Sequence, residues 1–142
     1  MSTEDEVRKA SKQFYGALNQ MVSGNASALS DIWSHGQAVT TLHPISGRQV
    51  GWDEVRGSWE QVAQLASDGK VELKDQLIHV VGDAAYEVGI EDGEFKIAGQ
   101  AINAHVRVTN IYQKEGGTWK IIHHHTDIEP SFVELLNKLQ SK

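Results

Sequence analysis

The main change in the hydrophobic period of this chain falls near residue 70. Before it the longer apolar patterns recur every three or four positions, and from there to about residue 128 they alternate. In the first part Thr3 and Glu6 have capping-box spacing, which predicts a helix over 4–23. Its apolar stripe is Val7, Phe14, Leu18, Met21 and Val22, and Gly24 closes it. Asn25 can cap a second, shorter helix running toward Ile32 and Trp33. Ala38 to His43 reads as a strand ended by Pro44, Ser46-Gly47 as a turn, and Arg48 to Val50 as a returning strand. Asp53 can cap a third helix carrying Val55, Trp59, Val62 and Ala66, with Gly57 inside it marking a close approach or a gap. The alternating part predicts strands at 70–80, 83–91, 98–113 and 117–128, turning at Gly82-Asp83 and Gly116-Gly117. Pro130 then opens a short amphipathic helix with Phe132, Leu135, Leu136 and Leu139. Helices followed by an antiparallel meander predict an α+β fold with helices on one sheet face. The 142 residues suit a single domain spanning 1–142.

Charge and composition narrow the partners. A net charge of −6, with no basic stripe carrying interleaved aromatics, argues against a nucleic-acid partner. No apolar run approaches the roughly 20 residues that cross a bilayer. Residues 1–10 are charged where a signal peptide would be apolar, so a cytoplasmic location away from membranes is expected. With no cysteine in the chain, disulfides, thiolate metal sites and thiol nucleophiles are excluded.

The densest chemical signal is the run Trp119-Lys-Ile-Ile-His123-His124-His125-Thr126-Asp127. On a regular strand His123 and His125 share a face with Trp119 and Ile121, and His124 points away. Pairing Glu115 with Thr118 across the glycine turn would set Asn110, Val108 and Tyr112 beside His123, His125 and Ile121. A bulge would move this register by one residue. Three readings of the histidines stand open: acid–base work, metal binding with His43 or Asp127 as third ligand, and structural lining of a polar pocket. His43, at a strand end before Pro44, can face a cavity mouth, and Tyr15 can turn its hydroxyl into a cavity. Trp33, Trp59 and Trp119, with Trp52, are core or pocket wall and favour a sizeable apolar cavity. Arg107, mid-strand, must be paired or exposed, so it either clamps a ligand carboxylate or meets an acidic residue across a subunit interface. No serine-nucleophile, phosphate-loop or dinucleotide motif is present.

Several blocks together resemble the nuclear transport factor 2-like superfamily, in its SnoaL-like branch. They are F-Y-G-A-L-N from Phe14, Gly24-Asn25, T-L-H-P from Thr41, Ser46-Gly47, G-W-D-E-V-R-G-S-W from Gly51, R-V-T-N-I-Y from Arg107, and G-G-T-W-K-I-I-H-H-H-T-D from Gly116. The last block is also similar to the association domain of calcium/calmodulin-dependent kinase. The resemblance implies a cone, a strongly curved mixed sheet wrapped round three N-terminal helices, with a pocket in its open end and a short C-terminal helix. It implies a homodimer through the outer sheet face, expected here to include Val106, Val108 or Ile111. Ketosteroid isomerase, polyketide cyclases, dehydratases, epoxide hydrolases and pure binding modules share this fold, and its enzymes need no organic cofactor or metal. The resulting expectation is a pocket for a small hydrophobic or polar-aromatic ligand, with His125, His123 and Tyr15 as candidate catalytic groups. His43, Asn110, Trp33, Trp59, Trp119, Tyr112 and Asp127 are the candidate ligand-binding residues. If the chain is an enzyme, the expected chemistry is proton abstraction beside a carbonyl, as in an isomerase, cyclase or lyase. Otherwise it is a binding or assembly module. Of the acidic residues on the late strands, only Asp127 is expected at the pocket.

Overall fold

The computed structural model describes residues 2–140. In chain order the elements are α1 (Thr3–Met21), α2 (Leu29–Ile32), β1 (Thr40–Leu42), β2 (Gln49–Val50), α3 (Trp52–Leu65), β3 (Ala66–Val81), β4 (Ala84–Ile97), β5 (Gln100–Glu115), β6 (Thr118–Thr126) and α4 (Pro130–Gln140). The strands form one curved open sheet in the order β2-β1-β6-β5-β4-β3. All neighbours are antiparallel except β1 and β6, so the sheet is mixed and the fold is α+β as expected. The helical stripe of α1 (Val7, Phe14, Leu18, Met21) is buried against the sheet with Val55 and Trp59 of α3 and Phe132 of α4.

The local signals differ in detail. The cap of α1 is Ser2, not Thr3: Ser2 Oγ accepts from the Asp5 amide at 3.1 Å and the Asp5 carboxylate accepts from the Ser2 amide. Asn25 closes a turn on Ser27 instead of capping α2, which is a single helical turn. Gly51 is the N-cap of α3 at φ 87°, so Asp53 lies inside the first turn. Ala66 belongs to β3, not to α3. Strands β3 and β4 run longer than their alternation suggests. Two bulges on β3, with Asp68 and Asp75 at positive φ, absorb an extra residue each and let the ribbon continue while twisting. The β4–β5 turn is Ala98-Gly99, both at positive φ, a conformation that alanine does not signal.

Side-chain parity decides what each face carries. On β5 the even-numbered residues from Ile102 to Tyr112 are buried, so Val106 and Val108 face the interior. They cannot form the outer dimer face expected of them, where only Ile111 of the three lies. The outer face instead carries Leu77, Val81 and Tyr86, all exposed. On β6 a bulge at Ile122 resets the register: Ile111 pairs with His123, but Tyr112 pairs with Ile121. Asn110 therefore pairs with His124.

Two glycines give opposite expectations. A Cβ on Gly57 would meet nothing within 4 Å, so that helix interior holds neither the close approach nor a clash. Gly57→Ala is expected to raise stability by about 0.5–1 kcal/mol. A Cβ on Gly69 would sit 2.5 Å from the Val22 carbonyl oxygen and 2.6 Å from its Cβ. Gly69→Ala is expected to lower stability by about 1–3 kcal/mol through overpacking. Urea unfolding of the two variants checks both signs.

Candidate active site

Strand β4 supplies what the histidine run alone does not. Ala85, Glu87, Glu91, Gly93, Phe95 and Ile97 share its inward face, so two carboxylates enter the interior. Glu87 is completely buried and nearly every hydrogen bond it can accept is made. Tyr112 Oη donates to it at 2.9 Å, Asn110 Nδ2 at 3.0 Å and Gln76 Nε2 at 2.7 Å. Gln76 is in turn held by Arg8, whose guanidinium donates to its Oε1 at 2.7 Å. A buried carboxylate without such donors would be prohibitively costly.

Glu91 sits one step further along. Tyr15 Oη donates to its Oε2 at 2.8 Å, and Asn110 Nδ2 donates to that same tyrosine oxygen at 2.9 Å. With one donor instead of three, burial dominates. It pushes the Glu91 carboxyl up to about 7 despite the Tyr15 bond, and the nearby Glu87 adds to the rise. His124 Nε2 lies 3.9 Å from Glu91 Oε2, and its Nδ1 is 2.6 Å from Asn110 Oδ1. Burial holds His124 well below the usual histidine range, with neighbouring imidazoles adding to the effect. Burial alone lowers His43 to about 4. His43 Nε2 is 2.8 Å from Ser58 Oγ, and its ring meets Trp59 edge-on. Both imidazoles are therefore neutral at neutral pH, while Glu91 is poised between its two forms.

These groups border a cavity of about 50 Å³. Glu91, His43 and His124 are its ionisable lining, and its apolar walls include Leu18, Trp59, Val71, Phe95, Val106 and Phe132. The volume holds a few waters or the end of a small ligand, so four indoles do not build the roomy hollow expected of them. Trp33 and Trp119 are core residues away from this cavity, and Trp59 alone of the tryptophans lines it. Tyr15, Asn110 and Tyr112 stand behind the wall as the hydrogen-bonded layer that holds Glu91, Glu87 and His124.

The face expected for the histidines is reversed. His124 points inward and is buried, whereas His125 is exposed and His123 is half-buried, bonded to Thr40 Oγ1 at 2.6 Å. The bulge at Ile122 is the cause, because one extra residue swaps the inward parity of every side chain after it. Asp127 also lies outside. It takes Arg107 in a bidentate pair at 2.8 and 3.1 Å, an exposed bridge within the chain. Among the described residues no three His, Cys, Asp or Glu side chains converge as metal ligands.

Comparison with known proteins agrees with this architecture. A SnoaL-like domain model matches residues 7–128. The chain belongs to the SnoaL-like family. Solved structures similar to this SnoaL-like chain include a candidate dehydratase of the NTF2-like family from Streptomyces avermitilis, at 23% identity and a TM-score of 0.78, covering 89% of this chain and 95% of that one. An NTF2-like superfamily protein from Salmonella enterica reaches a TM-score of 0.78 at 16% identity, covering 87% and 89%. The calcium/calmodulin-dependent kinase II hub of S. rosetta matches at 17% identity and a TM-score of 0.72, covering 89% and 97%. At these identities the likeness is one of fold. No curated protein matches the sequence significantly.

Sequence reasoning passed over Glu87, Glu91 and His124, the residues around which the SnoaL-like interior is organised. The signal for the carboxylates was present. Counting back by twos from Ile97 and Phe95 reaches Glu91 and Glu87 on the apolar parity of β4. No described helix is long and apolar enough to cross a membrane.

The raised carboxyl makes a signed stability prediction. Below about pH 4.5 Glu91 is protonated in both folded and unfolded chains and has no linkage effect. As pH rises toward 7 the unfolded chain ionises first, so the folded state loses stability, by about 3 kcal/mol once pH exceeds 7. Gln at this position keeps an acceptor for Tyr15 and cannot ionise. The stability of Glu91→Gln relative to the parent is expected to rise by about 3 kcal/mol between pH 4 and pH 8 in denaturant titrations. A difference independent of pH would contradict the raised carboxyl.

Proposed function

We propose that the chain binds a small carbonyl compound in the cavity under Trp59 and Phe132 and moves a proton at the carbon next to that carbonyl. The observation that carries this reading is Glu91, a carboxyl of the apolar cavity wall poised near 7 beside a neutral imidazole. In its ionised form Glu91 takes the proton. The C–H electron pair shifts onto the carbonyl oxygen as an enolate, and the Glu91 carboxyl then returns the proton to the same carbon or to another. Trp59 contributes its ring to the same wall, and its indole N–H is buried without a protein acceptor. His43 and His124 add no positive charge, so the site favours a neutral ligand over an anionic one. This assignment moves the base from His125, the expected candidate, to Glu91. The likeness in fold to the Streptomyces avermitilis protein is consistent with a lyase or isomerase of this kind.

A second reading, a non-catalytic module assembling through its outer sheet face, is favoured by the likeness to the kinase hub and by the exposed Leu77, Val81 and Tyr86. The two are separable by one set of measurements. In heavy water the protein is expected to exchange the α-protons of small hydrophobic ketones, with a rate that rises through about pH 7. Glu91→Gln is expected to lose at least about 100-fold of that rate. An exchange rate equal in parent and variant would overturn the catalytic reading. Either reading includes a homodimer, and a sedimentation mass near 15.7 kDa at micromolar concentration would contradict it.

A further inference from the structure

The polar interior runs in one direction, and its direction determines which nitrogen of His124 is bare. Arg8 can only donate, so it fixes Gln76 with Oε1 toward itself and Nε2 toward Glu87. Glu87 accepts on both oxygens, Oε2 from Gln76 and Oε1 from Tyr112 and Asn110. The Tyr15 hydrogen is committed to Glu91, so the Tyr15 oxygen accepts from Asn110. The Asn110 amide is thus held by two acceptors on its Nδ2 side, and flipping it would set its carbonyl against a carboxylate. Its Oδ1 is left facing His124 Nδ1 at 2.6 Å and can only accept. His124 therefore carries its hydrogen on Nδ1. Nε2, on the Glu91 side, is a lone-pair acceptor. The other imidazole of the cavity follows the same logic. Ser58 gives its one hydrogen to the Val55 carbonyl at 2.7 Å, so His43 donates from Nε2 and keeps Nδ1 as an acceptor.

We propose that Asn110 is a positioning residue that locks the tautomer of His124, and that the bare Nε2 selects a ligand with an O–H beside its carbonyl, a hydroxy-carbonyl compound. The ligand class rests on the carbonyl chemistry proposed above; the tautomer lock does not. A plain ketone would leave the Nε2 lone pair facing apolar ligand atoms, whereas a hydroxyl one or two bonds from the carbonyl satisfies it. Besides Glu91 and His43 the remaining wall is apolar and holds no lysine or arginine, so the rest of the ligand is neutral. The cavity volume suits a compound of only a few heavy atoms at its inner end.

The experiment is ¹⁵N–¹H long-range correlation on the ligand-free full chain near pH 7. His124 is expected to show a protonated Nδ1 and a bare Nε2, and a protonated Nε2 or an imidazolium would overturn the lock. In Asn110→Ala the acceptor is gone and the Nε2–H form is expected to appear, while Asn110→Asp, which keeps an oxygen there, retains Nδ1–H. If the alanine variant does not fold, the parent spectrum alone still decides. The ligand class is tested with hydroxyacetone against butanone, which have the same number of heavy atoms and differ by a hydroxyl in place of a methyl. Hydroxyacetone is expected to bind about tenfold tighter, the worth of one good hydrogen bond, and to shift His124 Nε2. Equal affinity, or binding of neither, would overturn the hydroxyl assignment. A lost ketone exchange with an intact Nδ1–H pattern would instead overturn the catalytic reading and leave the lock standing.

Discussion

Two carboxylates inside an apolar cone are the condition that the rest of this structure satisfies. Glu87 and Glu91 share the inward face of β4, where an unpaired charge would cost several kcal/mol. Their treatment differs. Glu87 receives three donors and belongs to a chain of hydrogen bonds reaching the surface at Arg8. Glu91 receives one, from Tyr15, and stands at the cavity wall. The first anchors the polar layer, and the second is the group to which the proposed chemistry is assigned. Environment separates two chemically identical side chains into two roles.

The aromatic packing explains why the cavity is narrow. Phe14 meets Tyr15, Trp33, Trp59 and His124 edge-on, and Trp59 also closes on His43. Such edge-to-face contacts favour a filled interior, and here they leave a small space beside Glu91 and His124. Dry walls and a small volume have an electrostatic consequence. With little water to solvate it, the Glu91 carboxyl resists ionisation and the two imidazoles resist protonation. Low polarity thus raises the Glu91 carboxyl and holds His43 and His124 neutral, the two features on which the proposed acid–base chemistry rests.

Much of the architecture was legible in the sequence because periodicity reports burial directly. The change from period 3.6 to period 2 located the helices, the meander and the short final helix, and the paired glycines at 116 and 117 located one hairpin. Residues at ambiguous capping positions, such as Thr3 and Asp53, were misplaced by one or two positions, since Ser2 and Gly51 compete for the same backbone amides. The site was less legible, for two physical reasons. A bulge leaves no composition signature, so nothing in Ile121-Ile122-His123 announces that parity is reset there and that His124 turns inward. Strand β4 also appeared to end at Glu91. Its continuation through Gly93, Phe95 and Ile97, which puts Glu91 on the buried parity, depends on pairing with β5 across a turn at Ala98-Gly99. His43 and Trp59 do line the cavity, whereas Tyr15, Asn110 and Tyr112, expected at the pocket, stand one layer behind its wall. His123, His125 and Asp127 followed from a regular strand that the protein does not make.

The proposed chemistry turns on the protonation of one buried side chain, Glu91. Carbon-detected NMR of the ¹³C-labelled glutamate side chains, followed across pH on the folded protein, observes it directly. The Glu91 carboxyl carbon should titrate with a midpoint near 7, well apart from the exposed glutamates. A midpoint near 4.5 would mean that the carboxyl is solvated, and the acid–base site described here would not exist.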